Sequence, residues 1–124
     1  AVAVFRDNPR TCQYYYVVSD GETNQATGME ASWNVFALVK PGKAHPLLPT
    51  PVADAALLSA GDRYTELVRR VQEQHGELTA ESALHLMDRP VAMKSNLHNV
   101  LFEPKSTRFW VANASSDGQP AAEQ

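Results

Sequence analysis

Residues 11–40, TCQYYYVVSDGETNQATGMEASWNVFALVK, constrain this chain more than any other stretch. In an extended strand, Cys12, Tyr14, Tyr16 and Val18 fall on one side and Gln13, Tyr15 and Val17 on the other. Both sides are largely apolar or aromatic, the pattern of a strand covered on both faces. Asp20-Gly21 predicts a turn, 25–30 a second strand, Ser32-Trp33-Asn34 a second turn and 35–39 a third strand. A meander of this kind needs something packed over its tyrosines. Tyr14, Tyr16, Val18, Phe36 and Leu38 are therefore expected to be buried, and Cys12 to be a buried apolar thiol.

The flanking segments supply that cover. Residues 1–10 read as the end of a helix that Pro9 stops, one expected to begin upstream of Ala1. Residues 41–55 hold Pro41, Pro46, Pro49 and Pro51, which exclude a helix or a central strand. Leu47, Leu48 and Val52 suggest that this segment is packed down on the domain. Tyr64, Leu67, Val68 and Val71 recur at i, i+3, i+4, i+7 and predict a helix over 61–75, with Ser59 as its cap and Gly76 as its stop. Thr79 caps a second helix over 80–87 that presents Ala80, Ala83, Leu84 and Met87 on one face. A closing hairpin follows, 97–102 and 108–112, turning at Glu103-Pro104-Lys105-Ser106. The order predicts an α+β fold, an antiparallel sheet with two helices layered on it. Residues 1–113 form this one domain portion and 114–124 a flexible tail without periodicity.

Several function classes are excluded at this level. The net charge is −3 with Lys and Arg scattered, so no basic face exists for nucleic acid. The three consecutive tyrosines lack the interleaved cations of a base-stacking platform and read as core aromatics. No apolar run approaches the roughly 20 residues of a membrane span. A single cysteine excludes an internal disulfide framework. His45, His75, His85 and His98 lack paired ligand spacing, so no metal site is expected, and no cofactor is implied. Asn113-Ala114-Ser115 matches a glycosylation sequon.

Certain motifs carry a family resemblance. A helix end followed by Asn8-Pro9-Arg10-Thr11-Cys12, an aromatic strand, Ser19-Asp20-Gly21 and Gly28-Met29-Glu30 resembles the second half of the penicillin-acyltransferase-like (isopenicillin N acyltransferase-type) proteins. The run from Ser95 through Pro104, followed by 107–112, resembles the hairpin near the end of that family. The chain is more distantly similar to the choloylglycine hydrolases. The resemblance implies the C-terminal portion of an αββα N-terminal-nucleophile hydrolase sandwich. In such enzymes self-cleavage exposes a cysteine whose α-amino group acts as base, with a pKa of about 8. The reaction it implies is hydrolysis of a linear amide, or acyl transfer to an amine, through an acyl-enzyme thioester.

Ala1 offers no nucleophile and Cys12 lies inside the chain, so the nucleophile is expected upstream of Ala1 and the chain alone is expected to be inactive. The family places an oxyanion-hole Asn after the third strand, where this chain has His45. It places a Ser-Arg pair before the penultimate strand, where this chain has Ala92-Met93 and then Lys94-Ser95-Asn96. His45, Lys94, Asn96 and His98 are the candidates for lining a site; the plain alternative for each is a solvated loop or a polar strand end. The expected partners are the N-terminal part of the same protein, or a second copy through the open sheet, and a small amide or acyl substrate. The rival reading is a non-catalytic α+β module that binds a partner through an exposed sheet.

Overall fold

In the computed structural model, which describes residues 1–117, 119 and 121, the elements run in a simple order. They are α1 (Val2–Asp7), β1 (Tyr14–Asp20), β2 (Gln25–Ala31), β3 (Phe36–Val39), α2 (Gly61–Glu73), α3 (Ala80–Leu84), a 3-10 turn (His85–Met87), β4 (His98–Glu103) and β5 (Arg108–Asn113). The class is α+β. The strands form two sheets where one was expected: β1-β2-β3, and β4-β5 by itself. The two sheets belong to two compact units, Ala1–Ala60 and Gly61–Gln124. Between β3 and α2 the prolines lack the N–H groups that a ladder would need, so the first sheet ends at β3.

In the first unit β2 is the central strand, pairing Tyr14–Asp20 on one side and Phe36–Val39 on the other. The core lies along it: Gly28 through Ser32 are all buried, and Met29 is fully so. Pairing puts Tyr14, Tyr16, Met29 and Leu38 on one face, and Tyr15, Glu30, Gly28 and Val39 on the other. Helix α1 covers the first face by seating Phe5 on Tyr16, ring centroids 4.7 Å apart. The proline-rich segment covers the second face, as expected. It folds on itself through the Gly42 N–H to the Val52 carbonyl at 3.0 Å, and it buries Leu48 and Val52. Gly28 permits this cover, because a Cβ there would stand 2.6 Å from Leu58 Cδ1.

Several burial expectations fail here. Tyr14 is 58% exposed, and Leu38 on the opposite edge strand is also exposed. Tyr16, Val18 and Phe36 are half-buried. The cause is the length of the cover: α1 spans six residues and its one aromatic ring is occupied by Tyr16. Tyr14 packs only edge-on against Tyr16, at 6.1 Å. Cys12 precedes the strand, which begins at Tyr14, and is exposed where a buried thiol was expected.

In the second unit α2 buries Tyr64, Leu67, Val68 and Val71, the predicted stripe. Gly76 at φ +84° turns the chain out of the helix in a conformation that a side chain would strain. Thr79 and Ser82 form a capping box at the start of α3, each side chain taking the other's backbone N–H. Arg70 then joins the helical segments. Its Nε donates to Glu66 Oε1 at 2.7 Å, and its guanidinium donates to the carbonyls of His85, Leu86, Asp88 and Arg89 at 2.7–3.2 Å. Those carbonyls lie at the end of a helical segment, where backbone N–H partners run short and a guanidinium can supply donors.

The hairpin pairs His98 with Asn113, Val100 with Val111, Leu101 with Trp110 and Phe102 with Phe109. Asn99, Leu101, Trp110 and Ala112 share one face, half-buried in the unit. The other face carries Val100, Phe102, Phe109 and Val111, all exposed, with Phe102 at 66% and Phe109 at 63%. Leu84, on the apolar face predicted for the second helix, is 39% exposed. Within 114–124, Ala114 N–H donates to the Leu97 carbonyl at 2.9 Å and Ala121 N–H to the Asn96 carbonyl at 3.3 Å, with Ala121 buried. Gly118, Pro120 and 122–124 of the expected flexible tail lie outside the described residues.

Candidate functional site

The first unit holds one buried carboxylate. Glu30 is 5% exposed, set on the central strand between Met29 and Ala31. A charge so placed must be paired and hydrogen-bonded. Gln13 Nε2 donates to its Oε1 at 3.0 Å, and His45 Nε2 lies 3.3 Å from its Oε2. The Leu47 N–H donates to His45 Nδ1 at 3.2 Å, which makes Nδ1 an acceptor and assigns the ring proton to Nε2. Both imidazole nitrogens are thus committed, one to a carboxylate and one to a backbone amide. His45 ties the proline-rich segment to β2. Tyr15, directly opposite Glu30 in the ladder, has its phenol pKa raised by burial and then by the Glu30 carboxylate.

Cys12 borders a cavity of about 320 Å3 lined by Phe5, Arg10, Tyr14 and Tyr16. Arg10 is held there by carbonyls, its Nε donating to Ser32 O at 2.8 Å, and it lies 5.4 Å over the Phe36 ring. Among the described residues no side chain is hydrogen-bonded to the Cys12 thiol. The thiol is free and exposed, and it shares the cavity with the Arg10 guanidinium.

The other three candidates lie in the second unit, together at the entry to β4. Lys94 is exposed. Asn96 Nδ2 donates to the His98 carbonyl at 3.1 Å and to Asn99 Oδ1 at 3.2 Å, closing the loop before the strand. His98 Nδ1 lies 2.8 Å from Asn113 Oδ1 across the hairpin. An amide oxygen only accepts, so in this pair Nδ1 is the donor. This junction brings a cation, an amide and an oriented imidazole into one short segment. His45, in the first unit, stands apart from it in the chain and in role.

The sequence reading missed Glu30 as a buried acid and Gln13 as its donor. The available signal was an acidic residue inside the apolar run Gly28-Met29-Glu30-Ala31. It also missed the carbonyl cluster on Arg70, which leaves no mark in local periodicity. Among the described residues no group of three or more His, Cys, Asp or Glu side chains is placed to hold a metal ion. No helix among them is long and apolar enough to cross a membrane. Comparison of the chain with protein-family models, with curated proteins and with solved structures gives no match.

Proposed function

We propose that this chain is the C-terminal part of a cysteine N-terminal-nucleophile amide hydrolase or acyltransferase, with the nucleophile carried upstream of Ala1. The observation that supports this reading best is the one-sided cover of the hairpin β4–β5. Its inner face is half-buried on the side of the helical segments of its own unit, while Val100, Phe102, Phe109 and Val111 are bare on the other. A layered αββα fold asks for that division, in which each sheet has helices on one face and a second sheet about 10 Å away on the other. Apolar side chains in a contiguous exposed patch mark a surface that is covered in the assembled molecule.

In this reading the cysteine thiol attacks an amide carbonyl, its proton passing to the α-amine and on to the departing amine. The resulting thioester is resolved by water or by an acceptor amine. The chain contributes the sheet and helix layers, and the junction of Lys94, Asn96 and His98 is its polar contribution to a site. Cys12, exposed and inside the chain, does not serve as the nucleophile.

The test is to express the chain with its upstream reading frame. Mass spectrometry should find self-cleavage before a cysteine, and that cysteine should carry the acyl group after incubation with an acyl p-nitroanilide. An upstream frame without such a junction would overturn the hydrolase reading and leave an α+β binding module. Amide hydrolysis by the chain alone, lost on Cys12→Ala, would also overturn it.

A further inference from the structure

The second unit contains a cavity of about 690 Å3 between its helical segments and the inner face of its hairpin. Its main walls are Leu67 of α2, Leu84, Leu86 and Met87 of α3 and the 3-10 turn, and the cross-strand pair Leu101 and Trp110. The volume falls within the roughly 300–1,000 Å3 of small-molecule sites. Leu84 and Met87 remain 39% and 37% exposed although both border a cavity shared with the sheet. Lining this apolar offers water few hydrogen bonds and offers an apolar chain many dispersion contacts.

The walls are held by contacts that do not depend on what fills the space. The Thr79–Ser82 capping box sets the start of α3, and Arg70 grips four carbonyls at the far end of the helical segment. The β4–β5 ladder fixes the opposite wall. Polar groups in the lining are few: Asn99, and Asp88 with His85, which pair with each other at 3.0 Å. Among the described residues no Lys or Arg lines the cavity. A carboxylate ligand would thus meet the like charge of Asp88 with no Lys or Arg in the lining to offset it.

We propose that this cavity binds an uncharged amphiphile, a medium-length aliphatic alcohol in chemical class. Its chain lies along Leu84, Met87, Leu101 and Trp110, and its hydroxyl meets Asp88 or Asn99. Such binding needs no nucleophile and stands apart from the hydrolase reading.

The chain has two tryptophans, and Trp33→Phe, at a site 73% exposed, leaves Trp110 as the sole reporter. Titration of this variant with decan-1-ol should give a saturable blue shift of Trp110 emission and a raised Tm. Decanoate should bind weaker by about tenfold or more, for want of a counter-charge. Filling the space with Ala83→Leu should weaken decan-1-ol binding by about tenfold or more while circular dichroism is unchanged. Ala112→Val is the smaller substitute if Ala83→Leu does not fold. Phe102→Lys, on the bare face, should leave binding as it was. The proposal fails if decan-1-ol gives no saturable response or decanoate binds as tightly. It also fails if a folded filled variant binds undiminished, or if Phe102→Lys abolishes binding.

Discussion

Glu30 shows how a single buried charge organises the residues around it. Its two oxygens receive Gln13 and His45, and His45 in turn accepts the Leu47 N–H. Removing the imidazole strands a carboxylate inside the first unit, so His45→Ala should cost about 2–4 kcal/mol of stability. The double variant His45→Ala with Glu30→Gln should recover part of that loss, because the stranded charge is then gone. Urea unfolding monitored by tyrosine fluorescence measures both. Additive losses would show that the two side chains do not share one interaction.

Glu66 makes the opposite case on the surface of α2. Hydrogen bonds from Arg69 and then Arg70 lower its pKa from the ordinary 4.5 to about 2. A carboxylate so depressed stabilises the fold above pH 4.5, and that contribution is lost as the pH falls toward about 2. Carboxyl carbon shifts in a pH titration should place Glu66 near the lower value. Glu66→Gln should flatten the stability profile across the same window.

At the scale of elements, two contacts carry the packing. The Gly28 Cα lies under Leu58, and an added methyl would also stand 3.2 Å from the Val39 carbonyl. Gly28→Ala should therefore destabilise by about 1–2 kcal/mol through overpacking. Leu58→Ala in the same chain should relieve most of the clash, so the double variant should be more stable than the sum of the singles. Thermal unfolding of the four chains gives the coupling directly.

Arg70 plays the equivalent part between α2 and the 3-10 turn. Its planar fork meets four carbonyls and Glu66 at once, which a lysine ammonium cannot reproduce. Arg70→Lys should lose about 2–3 kcal/mol and Arg70→Met at least as much. Hydrogen exchange should quicken first at Val91 and Ala92, whose amides bond to the Asp88 and Met87 carbonyls. Unchanged exchange at these two amides would remove Arg70 from this role.

At the scale of the whole molecule, the governing fact is apolar surface without cover. Val100, Phe102, Phe109 and Val111 form one exposed face on the hairpin, and two aromatic side chains dominate it. Water contact on this scale favours association, so the isolated chain should self-associate or bind the remainder of its protein. Light scattering at micromolar concentration should show a mass above that of one chain, and Phe102→Lys with Phe109→Lys should return it to a single chain. A compact monomer without those substitutions would favour the self-contained binding module.

What the sequence by itself determined was whatever depends on near neighbours along the chain. The stripe Tyr64, Leu67, Val68 and Val71 follows from 3.6 residues per turn, and the structure buries all four. Thr79 as a cap, Gly76 as a stop and the closing hairpin are local in the same sense, since each is decided within a few residues. Tertiary structure alone decided which polar groups meet. His45 reaches Glu30 only because the proline-rich segment folds back over β2, and Arg70 finds its carbonyls only once the second helical segment lies beside α2. Tyr14, read as core from alternation, is exposed because alternation says which way a side chain points and not how far the cover extends. The separation into two sheets, the bare hairpin face and the cavity behind it share that origin. They depend on where whole elements are placed, and periodicity along one segment contains no term for the position of another.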